Sequence, residues 1–400
     1  MTITTLKPET AAQAAEAVRW ALSAGEPLEI LGSGTRRGLG RPVQAGHALD
    51  LSGLSGIVAY EPEELVLTAL AGTPMATILP MLAERAQHLA FEPPDGGTLG
   101  GLMASGLAGP RRISAGSARD HALGIAGVSG RGEHYKGGGK VVKNVTGYDL
   151  PKLMAGSFGT LTALTEITVK VLPAPEDTAT LLLAGLEDAG AVAALDRALR
   201  SPYDVSGAAH LPAGIAARSG VAAVARAGGA ATLVRIEGFG PSVAARVALL
   251  REELRADAVL GRDESLALWR EVRDAAWFGG LGGGDSLPHL WKLSVPPASG
   301  PATLAAIRRS LDVEAFYDWG GGLIWLTVPA DPNLPDAAAT IRAAVGAQGH
   351  ATLMRAPESV RAVTEVFQPL PEPLMALTRR VKASFDPKGV LNPGRMHAGV

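Results

Sequence analysis

The clearest pattern in the chain is an alternation. From Leu164 to Val171, the residues Leu164, Glu166, Thr168 and Lys170 fall on one side of an extended backbone, and Thr165, Ile167, Val169 and Val171 fall on the other. That period of two predicts a strand with one buried face. Near the start of the chain the period is helical. Ala11, Ala14, Ala15, Val18 and Leu22 recur at the spacing of a helix, Thr10 with Gln13 fits a capping box, and Gly25 stops the run. Short apolar runs at Leu28–Leu31, 48–51, 57–60 and 65–69 predict strands. Thr73, with Pro74 at the first helical position, starts a helix that puts Met75, Ile78, Leu79 and Leu82 on one face.

After Pro173-Ala174-Pro175 the character of the chain changes, and five of the six tryptophans lie beyond this point. Strand-like runs at 181–186, 233–239, 290–295 and 323–328 are each followed by a helical stretch, near 189–199, 242–255, 301–310 and 336–346. The recurrence predicts two related split βαβ units on one antiparallel sheet. A basic helix over 374–385 leads to the terminal run Asp386-Pro387-Lys388-Gly389-Val390-Leu391-Asn392-Pro393-Gly394-Arg395.

Glycine punctuates the first part. Gly137, Gly138 and Gly139 allow conformations that side-chained residues resist, and the polar run from Asn144 to Asp149 favours a turn. A Gly-Ser-x-Gly-Thr turn at Gly156, Ser157, Gly159 and Thr160 then enters the alternating strand. Upstream, Gly32-Ser33-Gly34-Thr35-Arg36-Arg37-Gly38-Leu39-Gly40 follows a strand. Such a turn either aims several backbone N–H groups at one phosphate or is a plain surface loop. A Rossmann site is disfavoured by the glycine spacing and by Pro42, and Gly139-Lys140-Val141 lacks the Ser or Thr of a phosphate-binding P-loop. A second loop, Glu92-Pro93-Pro94-Asp95-Gly96-Gly97-Thr98-Leu99-Gly100-Gly101, has more glycines than a tight turn needs and reads as ligand-binding. Trp277-Phe278-Gly279-Gly280-Leu281-Gly282-Gly283-Gly284 reads as a flexible loop with exposed aromatics that lines a substrate cavity, meets a partner, or is a mobile hairpin tip.

The bulk numbers narrow the classes. The 400 residues suggest two domains or one large one, 47% hydrophobic content is ample for a core, and a formal net charge of −2 gives no sign of a nucleic-acid binder. With no cysteine there are no disulfides, no thiolate nucleophile, no cysteine-ligated iron–sulfur cluster and no cysteinyl flavin link. Neither a signal peptide nor an apolar run of membrane-spanning length, ~18 residues, is evident, which fits the cytoplasm.

The run Asn144-x-x-Gly147-Tyr148-Asp149-Leu150-x-x-Leu153, followed by Gly156-Ser157-x-Gly159-Thr160-Leu161 and Thr165-Glu166, resembles the flavin domain of the vanillyl-alcohol oxidase / p-cresol methylhydroxylase superfamily. Within it the likeness is to the FAD-binding E subunits of bacterial glycolate oxidases. The resemblance covers both ends of the chain and leaves the middle divergent. It implies an α+β fold: a two-part flavin domain over 1–175, an α+β cap domain with an antiparallel sheet over 176–370, and a C-terminal segment, 371–400, returning to the flavin domain.

The resemblance also implies FAD and the residues around it. The first loop, Gly32, Ser33, Gly34, Thr35 and Arg36, would wrap the pyrophosphate. Pro94, Asp95, Gly97, Thr98, Leu99, Gly100 and Gly101, then Ser105 and Gly106, would face the cofactor. Arg119 and Asp120 match the family pattern better than Arg111 and Arg112, which read as a solvated or partner-facing surface. Gly156, Gly159, Thr160, Leu161, Glu166, Ile167 and Asn392 complete the set. Many relatives attach flavin through a histidine in the first loop. Thr35 and Arg36 hold the corresponding positions here, so dissociable FAD is expected.

Catalytic relatives that oxidise 2-hydroxy acids carry paired metal-ligand histidines and a Gly-Glu-His-Gly segment. The eight histidines here are not spaced to share one element, and the comparable segment reads Gly349-His350-Ala351-Thr352, so no metal site is expected. Three functions compete. The first is an FAD-binding subunit of a glycolate oxidase complex, working with a second flavin subunit and an iron–sulfur subunit and reaching a membrane only through them. The second is a stand-alone 2-hydroxy acid dehydrogenase with His350 or Tyr148 as base. The third is a flavin-free structural subunit.

Overall fold

A computed structural model describes residues 3–140, 147–280, 287–330 and 336–400. Asn144 and residues 281–284 of the run that begins at Trp277 lie outside the described residues. The chain forms two compact units. The first is Met1–Ala108, Gly116–Pro173 and Pro369–Val400, and the second is Gly109–Ala115 with Ala174–Gln368.

In the first unit, β1 (Thr4–Leu6), β2 (Leu28–Leu31) and β3 (His47–Asp50) form a parallel sheet in the order β1-β3-β2. The helix Ala11–Ala24 precedes β2, with Thr10 Oγ1 accepting from Gln13 N and Gly25 closing it at φ 70°. A five-stranded antiparallel sheet follows, built from β4 (Ile57–Glu61), β5 (Val66–Leu70), β7 (Ala122–Ser129), β8 (His134–Gly138) and β9 (Thr162–Lys170) in the order β4-β5-β9-β7-β8. A small ladder pairs β6 (Gln87–His88) with β10 (Leu172–Pro173).

The alternating strand is thus the centre of the larger sheet, and it is buried on both faces rather than one. Ile167 and Val169 join a core with Met75, Ile78, Leu82 and Leu102, while Ala163 joins a different core with Ala14, Val18 and Leu391. Thr168, on the face read as open, is only 5% exposed and bonds to Thr68 Oγ1 at 2.9 Å. Alternation does report the strand, but layers on both sides of a sheet cover its polar positions too.

The second unit is one eight-stranded antiparallel sheet. Its strands are β11 (Asp177–Ala184), β12 (Val205–Leu211), β13 (Ala231–Gly238), β14 (Ala258–Leu260), β15 (His289–Ser294), β16 (Glu314–Asp318), β17 (Leu323–Val328) and β18 (His350–Arg355). The order β14-β11-β13-β12-β16-β17-β15-β18 is two βαββαβ halves joined edge to edge through their second strands, where His210 faces Tyr317. The expected doubling of a split βαβ unit is therefore present. The sequence reading missed the second and fourth strand of each half. Helices Asp188–Leu199 and Gly240–Leu254 pack on one face of the first half, and Gly300–Arg308 and Asp336–Val345 on that of the second.

On the opposite face of the first half, the helix Arg262–Asp274 lies against β11 and bonds through Trp269 Nε1 to Thr180 Oγ1 at 2.8 Å. Arg111 is not solvated, as its sequence suggested. Its Nε and Nη2 bind Glu237 at 2.9 and 2.8 Å, and Arg235 Nε lies 3.3 Å from the same carboxylate. Burial alone would raise the Glu237 carboxyl, but the Arg235 charge and then Arg111 outweigh it and hold it down at about 2. Because the folded value is depressed, this stabilisation is present above the ordinary 4.5 and is lost as the pH falls towards about 2. Glu237→Gln is expected to cost on the order of 3 kcal/mol at pH 7 and little at pH 2. Urea unfolding of both proteins across that window checks it, and an equal difference at every pH would refute it.

Trp277 and Phe278 also differ from expectation. They are not exposed but pack on Phe316 with ring centroids 5.2 and 5.6 Å away. Burying aromatic surface outweighs the mobility that the neighbouring glycines allow. Among the described residues no helix is long and apolar enough to cross a membrane.

Candidate functional site

The first unit contains a cleft where β2 ends and the first glycine loop begins. Gly32, Ser33, Gly34, Thr35 and Arg36 form one wall, and Thr98, Gly100, Gly101 and Ser105 another. Phe158, Gly159 and Asn392 close it. The walls approach so closely that side chains are excluded. A Cβ on Gly32 would stand 2.5 Å from Thr98 Oγ1, and one on Gly100 would stand 2.8 Å from the Ala71 carbonyl. Gly97, at φ 80°, leaves space that the Arg36 guanidinium fills.

The donors in this cleft are conspicuous for what they do not bind. Among the described residues, the backbone N–H groups of Ser33, Gly34, Thr35 and Arg36 meet no acceptor. Arg36 Nη2 donates to Gly96 O at 3.2 Å, but Nη1 is buried without a partner. Burial pulls the Arg36 pKa down from its ordinary value. A buried donor left unpaired is costly, so this arrangement is built for an anion.

Asn392 locks the cleft together. Its Oδ1 accepts from Ile30 N at 2.8 Å, and its Nδ2 donates to Phe158 O at 2.7 Å and to Ile30 O at 3.4 Å. The sequence reading placed Asn392 at the cofactor; it lines this cleft, with its amide bonded to the walls. Other lining side chains were missed, Phe158, Glu29, Arg37 and Arg395 among them. Arg37 grips Glu29 through Nε at 2.9 Å and Nη2 at 2.5 Å, and Arg395 Nη2 donates to the carbonyls of Arg36 and Arg37 at 3.2 and 3.0 Å. Nothing local signals the Arg395 contacts, which join residues 359 and 358 positions apart.

Comparison with known proteins follows from these features. A family model described as an FAD binding domain matches residues 4–138, and one described as the C-terminal domain of FAD linked oxidases matches residues 364–396. The glycolate oxidase subunit GlcE of Escherichia coli (strain K12) is 38% identical over 390 residues, covering 96% of this chain and 96% of that protein. The chain belongs to this family of FAD-linked oxidases. The glycolate oxidase subunit GlcD of Bacillus subtilis (strain 168) is 35% identical over a shorter stretch, 39% of this chain and 34% of that protein. The solved structure of substrate-bound p-cresol methylhydroxylase matches with a TM-score of 0.71 over 98% of this chain and 88% of that one, at 17% identity. The fold is of that type.

FAD is the cofactor of this FAD-linked oxidase. The residues present fit it: a pyrophosphate needs several convergent N–H donors and a cation, and the loop offers four free amides beside a half-used guanidinium.

The other expected flavin residues of the oxidase lie off the cleft lining. Leu99, Leu161 and Ile167 place their side chains in the core. Asp120 caps its own helix through Ser117 N and Oγ, both at 2.8 Å, and Arg119 is exposed. Gly106 and Gly156 bring a helix end against a turn, Gly156 N donating to Met103 O at 3.0 Å. Thr160 Oγ1 bonds to Ser157 O at 2.7 Å, Glu166 is half-buried in β9, Pro94 is half-buried, and Asp95 is exposed. Of the candidate bases, Tyr148 is 89% exposed in the first unit, and His350 opens the edge strand β18 of the second with its ring exposed.

Proposed function

We propose that this chain is the FAD-binding E subunit of a glycolate oxidase, taking part in the oxidation of glycolate to glyoxylate within a multi-subunit complex. The row of unpaired amides from Ser33 to Arg36, beside the unused Nη1 of Arg36, carries the cofactor half of the reading. Similarity to GlcE along nearly the whole chain supports the substrate half.

In this reading the four amides and Arg36 hold the pyrophosphate of FAD, bound without a covalent link. When bound, FAD supplies the electron chemistry by accepting a hydride from the hydroxyl-bearing carbon. Thr98 and the glycines Gly100 and Gly101 keep the second wall close, and Asn392 keeps Ile30 and Phe158 from separating. Oxidation also requires a base for the hydroxyl proton and a cation for the carboxylate. The sequence has no histidine pair and no Gly-Glu-His-Gly segment, so turnover is assigned to the chain together with a second flavin subunit and an iron–sulfur subunit. The complex would work in the cytoplasm, with any membrane contact made through the partners.

The purified chain is expected to be yellow, to release its flavin on acid precipitation, and to reduce a dye with glycolate ~10²–10⁴ times more slowly than the full complex. A colourless protein would favour the flavin-free structural subunit, and yellow colour in the acid pellet would mean a covalent link. Turnover by the pure chain, abolished by His350→Ala or by Tyr148→Phe, would favour the stand-alone dehydrogenase.

A further inference from the structure

One buried side chain of the terminal run reaches the first glycine loop from behind. Arg395 Nη2 donates to Arg36 O at 3.2 Å and to Arg37 O at 3.0 Å, and the Arg395 carbonyl accepts from Arg41 N at 2.8 Å. Both ends of the turn from Arg36 to Arg41 are therefore fixed by a single residue. Arg395 Nη1 lies 4.0 Å from Glu29 Oε1, on the carboxylate that Arg37 also binds, which orients the guanidinium plane. The space around it is filled. A Cβ on Gly40, at φ 78°, would stand 2.9 Å from Arg395 O and 3.1 Å from Arg395 Nε.

These contacts continue into the loop. The peptide between Arg36 and Arg37 accepts from Arg395 on its oxygen and donates onward, from Arg37 N to Gly34 O at 3.2 Å. The peptide between Gly34 and Thr35 then ends in the Thr35 N–H. That amide belongs to a residue lining the cleft, and it meets no acceptor among the described residues. Hydrogen bonds in series polarise one another, and a charged donor at the head of the series makes the last N–H a stronger donor. The same series fixes its direction, because turning the Gly34–Thr35 peptide would break the bond from Arg37.

We propose that Arg395 is a positioning residue for the diphosphate of FAD, orienting and polarising the Thr35 amide through the Arg36–Arg37 and Gly34–Thr35 peptides. This role depends on the flavin reading and divides the work within it. The Asn392 amide ties Ile30 to Phe158 and so serves the cofactor as a whole. The Arg395 guanidinium serves the part that carries phosphate. A ligand with a diphosphate and no flavin ring needs the relay, and a ligand with the ring and no phosphate does not.

Titration of the flavin-free full chain with FAD, ADP and riboflavin tests it. Arg395→Gln is expected to weaken FAD and ADP binding by about ten-fold or more and to change riboflavin binding by less than about two-fold. Arg395→Lys keeps the charge and can reach one carbonyl, so it is expected to recover part of the lost FAD affinity. Gly40→Ala displaces the same guanidinium without removing it, and it decides the question where Arg395→Gln does not fold. Its expected result is the same selective loss of FAD and ADP. Unchanged FAD affinity in folded Arg395→Gln, a loss of riboflavin as large as that of FAD, or equal FAD affinity in the Gln and Lys variants would each overturn the role while leaving the flavin reading intact. A natural chain that takes up neither FAD nor ADP would overturn both.

Discussion

Replacing Gly159 by valine is expected to empty the cleft of flavin while leaving a folded protein. Gly159 sits at φ 70°, where a β-branched residue is strongly disfavoured. A Cβ there would stand 2.8 Å from Asn392 Nδ2, the atom that donates to Phe158 O at 2.7 Å. Ile30, Phe158 and Asn392 all line the cleft, so displacing one amide loosens three segments at once. Strain of ~1–3 kcal/mol and an unpaired polar group of similar cost together weaken binding by roughly a hundred-fold or more. Gly100→Val should act alike through Ala71, against whose carbonyl Gly100 N already donates at 2.7 Å. Gly38→Ala is the control, since its Cβ meets nothing within 4 Å. The ratio of flavin to protein absorbance after dialysis is the measurement. Full occupancy in folded Gly159→Val would mean the flavin lies elsewhere.

Lys382→Met is expected to destabilise the first unit by ~3–5 kcal/mol, the cost of leaving a buried charge unpaired. Lys382 Nζ donates to Asp386 Oδ2 at 2.7 Å, Thr160 O at 2.7 Å and Leu391 O at 2.8 Å. The side chains are 9% and 0% exposed. Asp386 in turn accepts from Val390 N at 3.0 Å and Leu391 N at 2.8 Å, which holds the terminal run in place. Burial pulls the Lys382 pKa down, and Asp386 opposes that by favouring the charged form. Methionine keeps the length of the stem but removes all three hydrogen bonds. It leaves the Asp386 carboxylate and two carbonyls in a space where water has little room, since a Cβ on Gly130 would already stand 2.2 Å from Asp386 Oδ1. Because Thr160 follows Gly159, flavin affinity should fall as well. The midpoint of urea unfolding checks the prediction. A shift of less than about 1 kcal/mol, the size of a surface pair, would show that the pair is effectively solvated.

The helix Ala11–Ala24, the strand Thr162–Lys170 and the doubled second unit were legible because each carries its own period or cap within a dozen residues. The glycine loops were legible as places where the backbone approaches something closely. β12 was not. Its Val205-Ser206-Gly207-Ala208-Ala209-His210-Leu211 is buried throughout, so no alternation of polar and apolar residues marks it. Gly207 is small for a reason the chain cannot announce, namely Trp269, whose ring a Cβ would meet at 2.8 Å.

The sequence by itself determined the family and the cofactor and marked the glycine loops, because those rest on short runs of residues whose chemistry acts locally. Only the tertiary structure decided which of these residues share a cleft. It committed the Asn392 amide to Ile30 and Phe158, gave Arg395 a hold on the first loop, buried Arg111 against Glu237, and set Lys292 and Arg112 over one tryptophan ring. Each of these joins segments remote in the chain, and the energy that selects such a contact depends on burial and geometry that exist only once the chain has folded.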